Sequence, residues 1–185
     1  KMSAREKAII ELQQGGIGVM PTDTLYGLVG SARQPATVEK IYQLKGREKD
    51  KPLIVLISSL DDLSSLGVKL TPAEKAVCAD YWPGPVSIVL SCPLEKLDYL
   101  HRGTKTLASR LPADPDLCSF IRQTGPLVAP SANPAGAEPA QTIKEARGYF
   151  GEKIDFYLAG QEPLVGQASK LIRPTADGRI EVLRP

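Results

Sequence analysis

Apolar residues recur at two different periods along this chain, and the switching between them predicts its architecture. Ser3 and Glu6 have the S-x-x-E spacing of a capping box. Ala8, Ile9 and Leu12 then follow at helical intervals until Gly15-Gly16 ends the pattern. Ile17 to Met20 is a short apolar run closed by Pro21, which has no amide to donate; it reads as a strand ending at a turn, with PTDTLYG after it as an exposed loop. Pro35 suits a first helical turn, and Val38, Ile41, Tyr42 and Leu44 mark one face of a helix that stops before Gly46. Beyond the charged loop KGREKDK, Leu53 to Ile57 is continuously apolar and partly β-branched, the pattern of a central strand buried on both faces.

The second half continues the alternation. Thr71, Pro72 and Glu74 open a helix running to about Tyr81, and Asp114-Pro115 opens another to about Thr124. Between and after them, Val86 to Leu90, Thr106 to Ser109 and Leu127 to Ala129 read as strands. Thr142 to Tyr149 reads as a helix, and Asp155 to Leu158, Ser169 to Ile172 and Arg179 to Leu183 as late strands. Interleaved helices and strands give an α/β class with helices packed on one twisted sheet, and adjacent late strands make that sheet mixed rather than purely parallel. With no repeat, low-complexity segment or long linker, residues 1–185 are expected to form a single domain.

Composition narrows the setting. Hydrophobic residues are 42% and charged residues 24%, as in ordinary globular proteins. No apolar run approaches the ~20 residues of a membrane span, and the basic start lacks a signal-type apolar region, so a cytoplasmic protein without membrane contact is expected. Cys78, Cys92 and Cys118 are widely spaced and only His101 could join them, which argues against zinc and for small buried or half-buried thiols. His101 itself, beside Arg102 and Gly103, reads as a solvated loop residue rather than a base. A net charge of +2 is too small for a general nucleic-acid coat but leaves room for a local basic patch.

Familiar nucleotide signatures are missing: no G-x-x-x-x-G-K-S/T is present, and the GGIG at Gly15 precedes a strand instead of opening a helix. Candidate chemistry lies in polar loops abutting apolar segments. In PTDTLYG, an extended backbone points the Thr22, Thr24 and Tyr26 hydroxyls to one side and Asp23 and Leu25 to the other; the alternative is a strand-end turn whose threonines satisfy local amides. In KGREKDK, Lys45 and Arg47 flank a glycine and suit a polyphosphate, joined by Lys51, unless the whole stretch is a solvated charged turn. In APSANPAG, Ser131 and Asn133 can face one ligand such as a phosphate, a ribose or a carboxylate, or simply build a surface turn. WPGP reads as a stiff architectural turn. Arg110 could hold a carboxylate or lie exposed.

Together PTDTLYGL, KGREKDKPL, WPGPVS, SRLP and APSANPAG resemble, in order and spacing, the motifs of the YrdC-type threonylcarbamoyl-AMP synthases, over about Gly15 to Pro185. The chain is similar to the short form of that family, without the further C-terminal domain of longer members. The resemblance implies a YrdC-like fold with a basic cavity. It implies an L-threonylcarbamoyladenylate synthase, a nucleotidyltransferase that turns L-threonine, bicarbonate and ATP with Mg2+ into threonylcarbamoyl-AMP and pyrophosphate. The product would go to downstream threonylcarbamoyl transferase proteins that modify tRNA. On the same basis Thr22, Arg110, Ser131 and Ser169 are expected to contact threonine, and Lys45, Arg47, Lys51, Ser131, Asn133 and Arg184 to contact ATP. No metal ligand, general base or covalent nucleophile is assigned to the protein. Glu48, Ser87, Ala135 and Lys170 depart from residues common in the family. The competing reading is a non-catalytic RNA-binding or ribosome-associated module using the same cavity, and a third is carbamoyl-adenylate chemistry from carbamoyl phosphate. An aromatic content of 5% offers little stacking platform for single-stranded RNA.

Overall fold

A computed structural model describes residues 1–185. Along the chain run α1 (Ala4–Gln13), β1 (Gly18–Pro21), β2 (Tyr26–Ser31), α2 (Pro35–Lys45), β3 (Val55–Leu56), α3 (Leu60–Ser65), α4 (Pro72–Tyr81), β4 (Val86–Ser91), α5 (Asp98–His101), β5 (Thr106–Arg110), α6 (Pro115–Thr124), β6 (Leu127–Val128), α7 (Ile143–Phe150), β7 (Phe156–Tyr157), β8 (Lys170–Pro174) and β9 (Ile180–Arg184). Helix starts follow their capping letters. Ser3 with Glu6 and Thr71 with Glu74 form reciprocal capping boxes ahead of α1 and α4, each satisfying two amides that a helix start leaves open. Gly46 ends α2 in the left-handed conformation at φ 61°.

The strands form one mixed nine-stranded sheet in the order β7-β1-β2-β6-β3-β5-β4-β8-β9. β1 with β7, β3 with β5 and β4 with β8 pair in parallel, and the remaining neighbours are antiparallel. β3 is central, as its apolar run requires. Helices cover both faces. On one face α1 and α6 bring Leu12, Phe120 and Ile121 against Val29, Leu56 and Leu127. On the other, Val38 and Ile41 of α2 and Val77 of α4 join Leu28, Val55 and Ile88 in the larger core. Consecutive residues Leu28–Val29 and Val55–Leu56 serve opposite faces, the two-residue period of a strand buried on both sides.

Several expectations need correction. Tyr26–Ser31 is a fully buried strand, not part of an exposed loop. Its glycines hide it in the letters but serve packing: a Cβ on Gly30 would lie 2.6 Å from Thr37 and 2.9 Å from Ile41, so α2 rests directly on the β2 backbone. The short helices α3 and α5 have no sequence signal among those read above. His101 is fully buried rather than solvated; Nε2 lies 3.1 Å from the Leu94 carbonyl and Nδ1 accepts from Gly103 N at 3.1 Å, which occupies both ring nitrogens structurally. Cys78 and Cys92 are buried and Cys118 half-buried, all free. No helix is long and apolar enough to cross a membrane.

Candidate active site

The turns leaving β1, α2, β5 and β6 converge with the end of β9 on one cleft. It has a volume of about 190 Å³, below the roughly 300–1,000 Å³ typical of sites that enclose a drug-sized ligand. Lys45, Arg47, Arg110 and Arg184 line it, with Thr22, Ser131 and Ser169 supplying hydroxyls. No cluster of His, Cys, Asp and Glu side chains is placed to hold a metal ion.

Residues 22–25 are a turn rather than the extended strip expected for Thr22, Thr24 and Tyr26. Thr22 Oγ1 donates to Leu25 O at 2.5 Å and accepts from Leu25 N at 3.1 Å, so local backbone groups hold the turn through this hydroxyl, the alternative weighed from the letters. Thr22, Thr24 and Tyr26 nonetheless all border the cleft. Tyr26 is fully buried, donates to Glu162 at 2.8 Å and accepts from Gly160 N at 3.0 Å; burial pushes its phenol above the usual range.

Lys45 ends α2 with only 4% of its surface exposed. Its ammonium donates to the carbonyls of Ser131 and Asn133, both at 2.7 Å, and its own carbonyl accepts from Ala135 N at 2.7 Å. The end of α2 and the 131–135 loop are thereby stitched together around a cation. Burial, then the neighbouring charge of Arg47, lowers the lysine to about 8. Arg47 is fixed by its own loop, donating to Lys51 O at 3.1 Å and Pro52 O at 2.9 Å. Lys51 turns outward: its ammonium pairs with Glu48 at 2.9 Å, is 59% exposed, and does not border the cleft.

The 131–133 loop lies beside β2, with Leu28 N donating to Pro130 O at 2.8 Å and Ala132 N to Tyr26 O at 2.9 Å. Ser131 borders the cleft and donates to Asn133 Oδ1 at 2.5 Å. Asn133 stands behind it, its amide nitrogen donating to Pro134 O at 3.0 Å and Ala137 O at 2.8 Å, so this side chain shapes the loop. On the far wall, Arg184 donates from Nε to Ser169 O at 2.8 Å and from Nη2 to Ser169 Oγ at 3.2 Å, while Ser169 Oγ lies 2.7 Å from Ser87 Oγ. Burial, then the charges of Arg47 and Arg110, lowers the Arg184 guanidinium from its ordinary value.

Arg110 is 4% exposed rather than a surface residue. Nη1 donates to Asp23 Oδ1 in an ion pair, Nη2 reaches Thr24 Oγ1 only at 3.5 Å, and Nε is buried without a partner. The letters pointed Asp23 away from the site. The signal that could have found it is charge balance, since a buried guanidinium requires a partner and Asp23 is the acid in the adjoining loop. Lys45, Arg47, Arg110 and Arg184 all border this cleft and Asp23 offsets one of those charges, so an anion bound here would meet a positive field in a partly desolvated setting.

Comparison with known proteins places this geometry in a family. A family model described as Sua5_yciO_yrdC, Telomere recombination, matches residues 11–185. A protein of Hahella chejuensis named threonylcarbamoyl-AMP synthase is 33% identical over 176 residues, covering 95% of each chain. A Bacillus subtilis protein of the same name is 34% identical over 151 residues, 80% of this chain but 42% of that one. The crystal structure of Pyrococcus abyssi Sua5 complexed with L-threonine superposes with a TM-score of 0.86 at 30% identity, covering all of this chain and 55% of the other. This chain therefore spans about half the length of the longer relatives and nearly all of the shorter one. The chain belongs to the Sua5, YciO and YrdC family.

Proposed function

We propose that this protein is an L-threonylcarbamoyladenylate synthase, a nucleotidyltransferase that makes threonylcarbamoyl-AMP and pyrophosphate from L-threonine, bicarbonate and ATP for threonylcarbamoyl-adenosine in tRNA. The observation that carries this reading is the convergence of Lys45, Arg47, Arg110 and Arg184 on a cleft also lined by Thr22, Ser131 and Ser169. The names of the Hahella and Bacillus relatives support it. Arg110, Thr22, Ser131 and Ser169 take the amino acid. Lys45, Arg47 and Arg184 take the nucleotide, with Asn133 holding Ser131 in place. Lys51 reaches the phosphates only by leaving Glu48.

Chemically, the threonine ammonium loses a proton to solvent and the free amine condenses with bicarbonate, giving the carbamate and water. A carbamate oxygen then attacks the α-phosphorus, forming the new O–P bond as the bond to pyrophosphate breaks. No covalent nucleophile is required. The protein's part is to bring two anions together and hold the charge growing on the leaving oxygens, which is positioning and electrostatics. Magnesium enters on the ATP oxygens, as that ion commonly does, rather than in a protein cage. Water-soluble substrates and an adenylate destined for tRNA fit a cytoplasmic enzyme that passes this labile product to a downstream transferase.

The test is pyrophosphate release by purified protein with ATP and magnesium. Release should require both L-threonine and bicarbonate. Release without threonine, or with carbamoyl phosphate replacing threonine and bicarbonate, would assign a different adenylation. No release under any condition, with salt-sensitive RNA binding in its place, would sink the enzyme reading in favour of an RNA-binding module.

A further inference from the structure

We propose that Asp23 is the positioning residue that fixes how the cleft grips the carboxylate of its amino-acid substrate, a role that rests on the synthase reading above. Arg110 carries five N–H donors in a rigid plane, and a carboxylate can dock bidentately on either of two edges, Nη1 with Nη2 or Nε with Nη2. Asp23 accepts from Nη1 and sets its carboxylate beside that nitrogen, which disfavours a second anion on the first edge. On the second edge Nε is buried with no partner and Nη2 has only a 3.5 Å contact to Thr24 Oγ1, too long to compete with a carboxylate oxygen. A buried donor without a partner is costly, so this is the edge on which a bidentate anion docks. Arg110 is 4% exposed and borders the cleft; Asp23 sits on an exposed turn, but its side chain, packed on Arg110, is only 13% exposed.

The arrangement makes a prediction of sign. If Asp23 acted only through its charge, removing it would strengthen every anion in the cleft, threonine and ATP alike. If it orients the fork, removing it must weaken threonine while ATP binds as well as before or better. Asp23→Ala is expected to raise the KM for threonine about tenfold to a hundredfold, the equivalent of one charge-assisted hydrogen bond, with kcat little changed. Asp23→Asn, which keeps an acceptor for Nη1, should recover most of that loss.

Calorimetry provides the companion readout, with L-threonine and L-threoninamide as probes. Wild type should favour threonine strongly, because the amide lacks the second carboxylate oxygen and the charge; in Asp23→Ala the preference should collapse towards unity, with a thermal melt confirming that the variant is folded. Undiminished preference in a folded Asp23→Ala, beside an active wild type, overturns the positioning role and leaves the synthase reading standing. Equal loss of kcat in Asp23→Asn and Asp23→Ala, with one limb of the pH–rate profile gone, would make Asp23 a general base and overturn the role as well. Wild type that binds neither threonine nor threoninamide overturns both readings.

Discussion

Lys45 is a residue whose charge depends strongly on its surroundings. Burial lowers it to about 8, so in the folded protein it holds its proton less tightly than in the unfolded chain. Between about pH 8 and the ordinary lysine value the unfolded chain binds more protons, and the contribution of Lys45 to stability therefore rises with pH across that window. Binding a polyphosphate has the opposite demand, because it favours the charged amine. ATP binding near pH 8 should accordingly take up a fraction of a proton, and affinity should fall as pH rises beyond that value. Calorimetry in buffers of different ionisation enthalpy measures the uptake directly. Zero uptake at pH 8, or an affinity that climbs with pH, would remove Lys45 from the phosphate site. Lys45→Ala should cost about 1.5 to 3 kcal/mol in kcat/KM for ATP, the range for a charged hydrogen bond.

At the scale of elements, the site depends on how closely α2 lies on β2. Gly30 has no side chain where Thr37 and Ile41 press on the strand, and an added Cβ would meet their side chains at 2.6 and 2.9 Å. Gly30→Ala should therefore destabilise the fold by about 1–3 kcal/mol through overpacking. It should also raise the KM for ATP, because displaced α2 carries Lys45 with it. Thr71→Ala is the contrasting change: loss of the α4 cap costs about 1 kcal/mol, and kinetic constants stay as in wild type because α4 contributes nothing to the cleft. Urea titration with steady-state kinetics on both variants separates the two, and a Gly30→Ala protein as stable and active as wild type would refute the packing argument. These same elements explain what is legible in the letters. Capped helices announce themselves because Ser3, Thr71, Asp114 and Thr142 satisfy amides within their own first turns, a local event. β2 does not, because Gly27 and Gly30 make room for side chains outside the strand, Thr22 beside Gly27 and Thr37 and Ile41 over Gly30, and neither glycine reads as a strand former. The site divides in the same way: Lys45, Arg47 and Ser131 follow from loop patterns, whereas the Asp23–Arg110 pair joins residues 87 apart and only the fold brings them together.

Across the whole molecule, the cleft draws on strands from β2 to β9 but takes no residue from α1 or α6, and this asymmetry has an observable consequence. Arg184 lies at the end of β9, the edge strand of the sheet, where Ile180, Val182 and Leu183 are exposed and β8 is the only pairing partner. Edge strands with few buried contacts open locally at low free energy. A ligand held by Arg184 on β9, Arg110 on β5 and Lys45 at the end of α2 binds only when all three are in place, so it stabilises against openings that remove any of them, by about 2.7 kcal/mol at a hundredfold excess over Kd. No residue of α1 or α6 on the opposite face lines the cleft, and of the side chains packed with their small core only Ala129 borders it. Hydrogen exchange with ATP, magnesium and threonine together should therefore slow at the amides of β8, β9 and the last turn of α2, while subglobal openings confined to α1 and α6 exchange as in the free protein. Protection spread evenly over both faces would mean that the ligand acts only through global stability, and unchanged exchange in β9 would exclude Arg184 from the ligand's grip.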